Sequence, residues 1–425
     1  MHVLRSRDFR LLWLSQSVSL IGDALVIVTI GLYVTRLTHN PSDVGLVLGA
    51  YSLPLVVFVL VGGVIADRLP RQVVMVVADL VRMVLHGTLA VLIATGVVRV
   101  WQMVVIGLLF GVAEAFFRPA YSGLVPQTVA ETDIQAAQAL GGVSREIATF
   151  ASPALATVLV LGVGGAAAFG LDAATFGVSA LLVVRIRGRR RGAGSASGSM
   201  VDELKAGWAA VRERSWVWAT IAVYAVALLT ALAPFFVLGA AVAEDVYGSD
   251  AIFGWTNVAW GAGTVTGALF GSRWRPRRPM LAGMLCSIAW PGAIAAYAAG
   301  PPLGVLYPAM ALAGAGTGLF AVWWETALAQ RIPPHLLSRV SAWDWMGSLA
   351  LLPLGYVLAG PAAAAVGSVR VLVVGGLVGM LALALGVLPA STRSLTRVED
   401  DAGAAVGGQP HGVLGVGNDQ SVVLR

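Results

Sequence analysis

Long apolar runs, each closed by a short polar turn, follow one another from Leu11 to Ala390. Their spacing predicts twelve helices at 11–35, 45–66, 73–95, 101–119, 137–161, 166–186, 216–241, 252–272, 279–299, 304–329, 341–364 and 371–390. Each run approaches the ~20 apolar residues that a membrane span requires. The intervening turns are mostly short, so neighbouring helices should form antiparallel hairpins. Two stretches break the rhythm. Arg185 to Ser215 is first basic, then Gly/Ser-rich, then helical in pattern, and the chain beyond Ser391 is polar and Gly-rich. The expected organisation is an N-terminal six-helix bundle (1–190), a cytoplasmic linker with a surface helix (191–215), a C-terminal six-helix bundle (216–390) and a disordered cytoplasmic tail (391–425).

Composition sharpens this picture. Of 425 residues 58% are apolar and 12% charged, with a mean hydropathy of +0.82; soluble domains carry about a quarter charged residues. The segment after the basic start, MHVLRSRDFR, is too long for a signal-peptide core and reads as a retained first helix. The single cysteine, Cys286, excludes an internal disulfide and sits in an apolar run as a packing residue. Of the 28 basic residues 27 are arginines, and the net charge of +6 lies between apolar runs rather than along one face, which argues against nucleic acid.

The arginines also set an orientation. With a cytoplasmic N-terminus, the inside segments hold Arg5, Arg7, Arg10, Arg68, Arg71, the cluster from Arg185 to Arg191, Arg273 to Arg278, Arg331 and Arg339. The outside turns hold only Arg36, Arg99 and Arg370, and one of them, AEDVYGSD, is acidic. This asymmetry places both termini in the cytoplasm; the preference for Arg, with much Ala and Gly, fits a high-GC bacterial source, so a multi-pass chain in the bacterial inner membrane is expected.

The two halves look related. AEAFFRPAYSGLVPQ ends the fourth helix and WWETALAQRIPPHL the tenth, with Glu114 and Glu325 at like depths. The hairpin GGVIADRLPR between helices 2 and 3 has a degenerate partner, GSRWRPRRP, between helices 8 and 9. Gly63, Ala66, Asp67, Arg68 and Arg71 match the signature G-x-L-A-D-[RK]-x-G-R-[RK], with Ile65, Pro70 and Gln72 departing from it. On these residues the chain resembles the major facilitator superfamily. FRLLWLSQSVSLIGD, FFRPAYSGLVP, LDAATFGVSALL and LLPLGYVLAGP resemble the branch containing macrolide-efflux and enterobactin-export proteins. The resemblance implies an all-α polytopic fold of twelve transmembrane helices in two pseudo-symmetric six-helix bundles that work by alternating access. It leaves the substrate open.

Ionisable groups inside a bilayer are costly and usually face a cavity or a partner. Asp23, about 12 residues or ~18 Å into helix 1, is a candidate proton-coupling or cationic-substrate carboxylate, or else a structural acid bonded to a neighbouring helix. Arg145 and Glu146 interrupt helix 5 at similar depth, and Arg145 is expected to approach Asp23 or to form a static pair there. Glu114 and Arg118 are spaced to pair within one helix; Glu325, equally shallow in helix 10, faces either cavity or interface. Asp79 and Arg82, three residues apart, are expected to join the hairpin network. By the resemblance, Gly63, Asp67, Arg68 and Arg71, with Asp79, Arg82, Glu114, Arg118 and Arg339, form a cytoplasmic gate in which Asp67 faces the start of helix 11 near Ser341. His86 and Asp172 read as structural. Trp260 and Trp323 are candidate pocket aromatics. In ASPALATVL of helix 5, Ser152 and Ala156 stand where many exporters of the superfamily carry glycines, and Pro153 is kept.

The sequence holds no nucleotide-binding loop, no metal-ligand cluster and no Ser/His/Asp arrangement, so neither an enzyme nor a cofactor is expected. The expected function is secondary active transport: proton-coupled efflux of a bulky amphipathic drug or secondary metabolite. Uptake by proton symport is the alternative within transport. A non-transporting sensor or scaffold would need a large cytoplasmic domain that the linker and tail are too short to form. Partners expected are a small-molecule substrate, protons and the bilayer, with the chain acting as a monomer.

Overall fold

The computed structural model describes residues 2–130, 133–187, 200–274 and 276–396, apart from side chains at some helical positions, among them most of 59–68 and 143–154. The first set of helices is α1 (Arg7–Thr38), α2 (Pro41–Arg68), α3 (Arg71–Ala94), α4 (Val100–Thr128), α5 (Ile134–Gly162) and α6 (Gly165–Val184). A short amphipathic helix, α7 (Met200–Glu213), precedes the second set. There α8 (Ser215–Ala227) runs through a π turn at Leu228–Leu232 into α9 (Ala233–Tyr247), followed by α10 (Ala251–Arg273). The pairs α11 (Pro279–Ser287) with α12 (Ala289–Ala299) and α14 (Pro334–Leu349) with α15 (Leu352–Val366) flank α13 (Leu303–Arg331), and α16 (Ser368–Leu385) closes the set before the short α17 (Ala390–Ser394). Among the described residues ten helical segments are long and apolar enough to cross a membrane. With α5 and α10 they make six rods on each side of α7.

Local chemistry explains the sharp turns. The Asn40 side chain accepts from Ser42 N–H and Pro41 opens α2, while His39 ends α1 in the left-handed region, so two residues reverse the chain. Gly248 and Gly300 end α9 and α12 with positive φ, which costs a residue lacking Cβ little.

Packing within each set relies on small residues, as expected where lipid supplies no hydrophobic drive between helices. The tightest case is α10 against α13. A Cβ added at Gly263 would lie 1.9 Å from the Ala311 carbonyl oxygen, and one added at Gly318 would lie 2.2 Å from that of Thr264.

Between the two sets, the described contacts gather toward the end that carries Arg36. There α2 meets α15, with the Gly45 and Gly360 backbones against Tyr356 and Ser42. Thr157 on α5 donates to the Gly254 carbonyl on α10 (3.1 Å), Gly31 on α1 lies against Phe236 on α9, and Arg36 pairs with Asp250. The molecule is thus joined across its halves at the Arg36 end.

Candidate functional site

Helix α3 is built inside out. Its outward residues, Val73, Val77, Leu80, Val81, Val84 and Val91, are apolar and exposed. Its buried stripe carries Asp79, Arg82 and His86 among Val74, Met75, Ala78 and Leu89. Spacings of three, four and seven residues put these polar groups on one face, turned toward α4 and α6. A helix with charge inside and valine outside suits a lipid surround, and the charges must then find partners in the bundle.

They do so around Arg82, whose side chain is 1% exposed. One guanidinium nitrogen, Nη2, donates to Asp79 Oδ1, and the other, Nη1, donates to Glu114 Oε2 on α4 at 2.6 Å. Asp79 Oδ2 accepts from Ser179 Oγ of α6 at 2.7 Å, and Glu114 Oε1 accepts from Arg118 Nε at 2.7 Å. The guanidinium carbon lies 4.1 Å from the ring centre of Phe117 and 4.4 Å from that of Phe176, so aromatic faces complete its cage. Asp23 of α1 is the fourth member: its Oδ2 stands 3.9 Å from Arg82 Nη1.

Asp23 is held differently from the other two acids. Its side chain is 25% exposed, against 0% for Asp79 and 14% for Glu114. Its Oδ1 is buried without a hydrogen-bond partner, as is Nε of Arg82. Arg82 is already spent on two shorter contacts. Among the described residues this cluster therefore sets three carboxylates, Asp23, Asp79 and Glu114, against two guanidiniums, Arg82 and Arg118. Of the three acids Asp23 is the least engaged, at 3.9 Å from the guanidinium.

One turn further along α3, His86 Nδ1 contacts Asp172 of α6 and its Nε2 meets the Tyr51 hydroxyl of α2 at 3.1 Å. The imidazole stacks on Phe110 with centroids 4.3 Å apart. Both ring nitrogens are engaged and the side chains of His86 and Asp172 are fully buried, so this group ties α2, α3 and α6 together behind α1.

The remaining sequence candidates fall elsewhere. The side chains of Gly63, Asp67, Arg68, Arg145 and Glu146 lie outside the described residues; the cation described beside Asp23 is Arg82, a neighbour that spacing along the chain does not reveal. Arg71 donates to the Gly123 carbonyl of α4, tying the start of α3 to the end of its neighbour. Arg339 packs on Gly207 of α7. Glu325 is exposed on α13. Trp323 is 3% exposed and its indole donates to the carbonyls of Gly271 and Trp274, while Trp260 packs against Phe235 and Trp290. One acid was missed by the sequence reading: Asp344 on α14, which accepts from the Trp324 indole at 2.8 Å.

The comparisons with known proteins agree with this architecture. The chain is 29% identical over 356 residues to the multidrug efflux pump Tap of Mycolicibacterium fortuitum, covering 78% of this chain and 83% of that protein. It is 25% identical over 217 residues to macrolide efflux protein A of Streptococcus pyogenes, covering 51% of this chain; the match spans about half that relative's length, 54%. A bacterial homologue of the lysosomal transporter Spinster, solved in an inward-facing, unoccupied conformation, superposes with a TM-score of 0.68 at 14% identity, over 92% of this chain and 97% of that one. The family model described as transmembrane secretion effector matches residues 1–405. The chain therefore belongs to the transmembrane secretion effector family of major facilitator transporters.

Proposed function

We propose that this transporter exports a bulky amphipathic organic compound from the cytoplasm in exchange for protons. The observation that carries the reading is the carboxylate of Asp23: half-engaged by Arg82 at 3.9 Å, partly exposed, and with its Oδ1 buried without a hydrogen-bond partner. A group of this kind accepts one positive charge reversibly, which is what coupling to a proton requires. The efflux relatives support the direction and the class of cargo.

The working cycle is alternating access. The halves close at the Arg36 end, which the arginine distribution assigns to the outside, and the cargo enters from the cytoplasmic end. Proton binding at Asp23 weakens its attraction to Arg82, while Asp79 and Glu114 keep that guanidinium in place. The hairpin with Asp67, Arg68 and Arg71 latches the cytoplasmic end.

Expression in an efflux-deficient bacterial host, screened against a panel that includes macrolides, tests the reading. Wild type should raise resistance to some members, and Asp23→Asn should abolish that gain at equal expression. Undiminished resistance in Asp23→Asn would remove Asp23 from the coupling role.

A further inference from the structure

The second half holds an acid whose surroundings are the opposite of Arg82's. Asp344 lies on α14, five residues beyond Arg339 and so ~140° around the helix from it. Its Oδ2 accepts from Trp324 Nε1 at 2.8 Å and its Oδ1 contacts Ser348 Oγ at 3.4 Å. Both donors are neutral. No cation pairs with it among the described residues, and the charged group of α13 that acts on it is another acid, Glu325, next to Trp324 in the chain. On α8 the titratable neighbour is Tyr224, whose hydroxyl is taken by Ser287 at 2.6 Å. The third packed element, α7, places Gly207 against Arg339 and Trp343, and its Lys205 and Arg212 are exposed.

The indole that serves Asp344 is fixed. Trp324 is 5% exposed, stacks on Phe320 with centroids 5.9 Å apart and meets Trp216 edge-on at 5.5 Å. Phe320 stacks in turn on Tyr224. These rings back the indole, and the half-buried carboxylate meets neutral donors on its described sides. An ionised acid so placed, within a membrane-spanning segment, is costly, and the change that relieves it must be small. An organic ammonium group is too large for packed rings. A proton is not.

We propose that Asp344 is the proton-exchanging carboxylate of the second half, a proposal that rests on the proton-coupled reading above. Asp344 takes a proton from water to become a neutral acid in one orientation of the transporter and returns it to water in the other. Trp324 is a positioning residue that favours the ionised form by donating to it.

Infrared difference spectra of the purified full chain, recorded between alkaline and acidic buffer, read this titration without any substrate. A protonated-carboxyl component should appear on acidification that is missing in Asp344→Asn, while the components of the other acids, Asp23 among them, remain. In Trp324→Phe, which keeps the acid and most of the packing, that component's midpoint should move upward by about one pH unit, since a hydrogen bond to a charged group is lost. In proteoliposomes with radiolabelled erythromycin as probe, Asp344→Asn should exchange label at equal pH about as wild type does, yet lose about tenfold or more of its gradient-driven accumulation. Carboxyl spectra with no component lost in Asp344→Asn overturn the proposal. So does full gradient-driven accumulation in a variant that has lost that component. Wild type that exchanges label but ignores the gradient would instead overturn proton coupling for the whole transporter, with or without the Asp344 component.

Discussion

Replacing Arg82 by methionine is the most demanding perturbation of the N-terminal cluster. The substitution keeps a flexible apolar stem among Phe117 and Phe176 but removes the cation that, among the described residues, Asp79, Glu114 and Asp23 share. Asp79 is then fully buried with only Ser179 to donate to it, whereas Glu114 keeps Arg118. Breaking a buried ion pair by removing one partner costs about 3–5 kcal/mol, because the other charge stays buried. At about 2 °C per kcal/mol for a large chain, the apparent melting temperature in detergent should fall by about 6–10 °C. The loss has a pH sign. The stranded carboxylates are penalised only when ionised, so the deficit should narrow as pH falls and widen as it rises. The double variant Asp79→Asn/Arg82→Met removes the buried acid with its partner and should recover at least half the loss. Fluorescence-monitored unfolding of the three proteins across a pH series measures all of this. A melting temperature for Arg82→Met within about 1 °C of wild type, or a double variant less stable than the single, would refute the assignment of Arg82 as the charge that holds the cluster.

Three further outcomes follow from the same structure. Arg36 and Asp250 bridge the halves, but Arg36 is 47% exposed, so Arg36→Ala should cost the closed end only about 0.2–1 kcal/mol; spin-label distances across that end should show up to about fivefold more of the open population, reversed by exchanging the two charges. Gly360→Val meets a harder obstacle, since even a Cβ at 360 would lie 2.4 Å from the Ser42 Cα; cysteine labelling beside α2 and α15 should rise about tenfold as closure at that end is blocked. Asp67→Ala should slow turnover while leaving substrate affinity within about twofold in equilibrium binding; unchanged transport would count against the hairpin as a latch.

Much of the scaffold was legible because span length and turn chemistry are local. The runs at 45–66 and 304–329 became α2 and α13 with longer ends, since helices extend past the apolar core into the interface. Breaks were not legible. The run 279–299 is split after Ser287, and the last rod but one begins at Pro334, before the apolar run at 341, and is interrupted between Leu349 and Leu352. Each break lies four residues before a proline, Pro291 or Pro353, which has no N–H for the Ser287 or Leu349 carbonyl; Pro54 and Pro308 sit inside unbroken helices, so proline alone does not say which rod breaks.

The candidate site divides the same way. The three-residue spacing of Asp79 and Arg82 and the four-residue spacing of Glu114 and Arg118 announced their pairing, since both are contacts along one helix. That Glu114 also reaches across to Arg82, and that Asp23 borrows the same guanidinium, depends on three helices converging, which no linear spacing records. Asp344 escaped notice for a related reason. In SAWDWMG it stands between tryptophans near a helix start, where an acid is ordinary; only the folded α13 shows that its donors are neutral.

The central claim is that export is driven by protons, and everted membrane vesicles test it most directly. Uptake of a labelled macrolide and the accompanying proton release should be followed together in vesicles energised by an imposed pH gradient without ATP. Proton-coupled export predicts accumulation against a concentration gradient, matched by proton efflux and abolished by a protonophore and by Asp23→Asn. Accumulation that survives the protonophore, or that carries no proton flux, would contradict it.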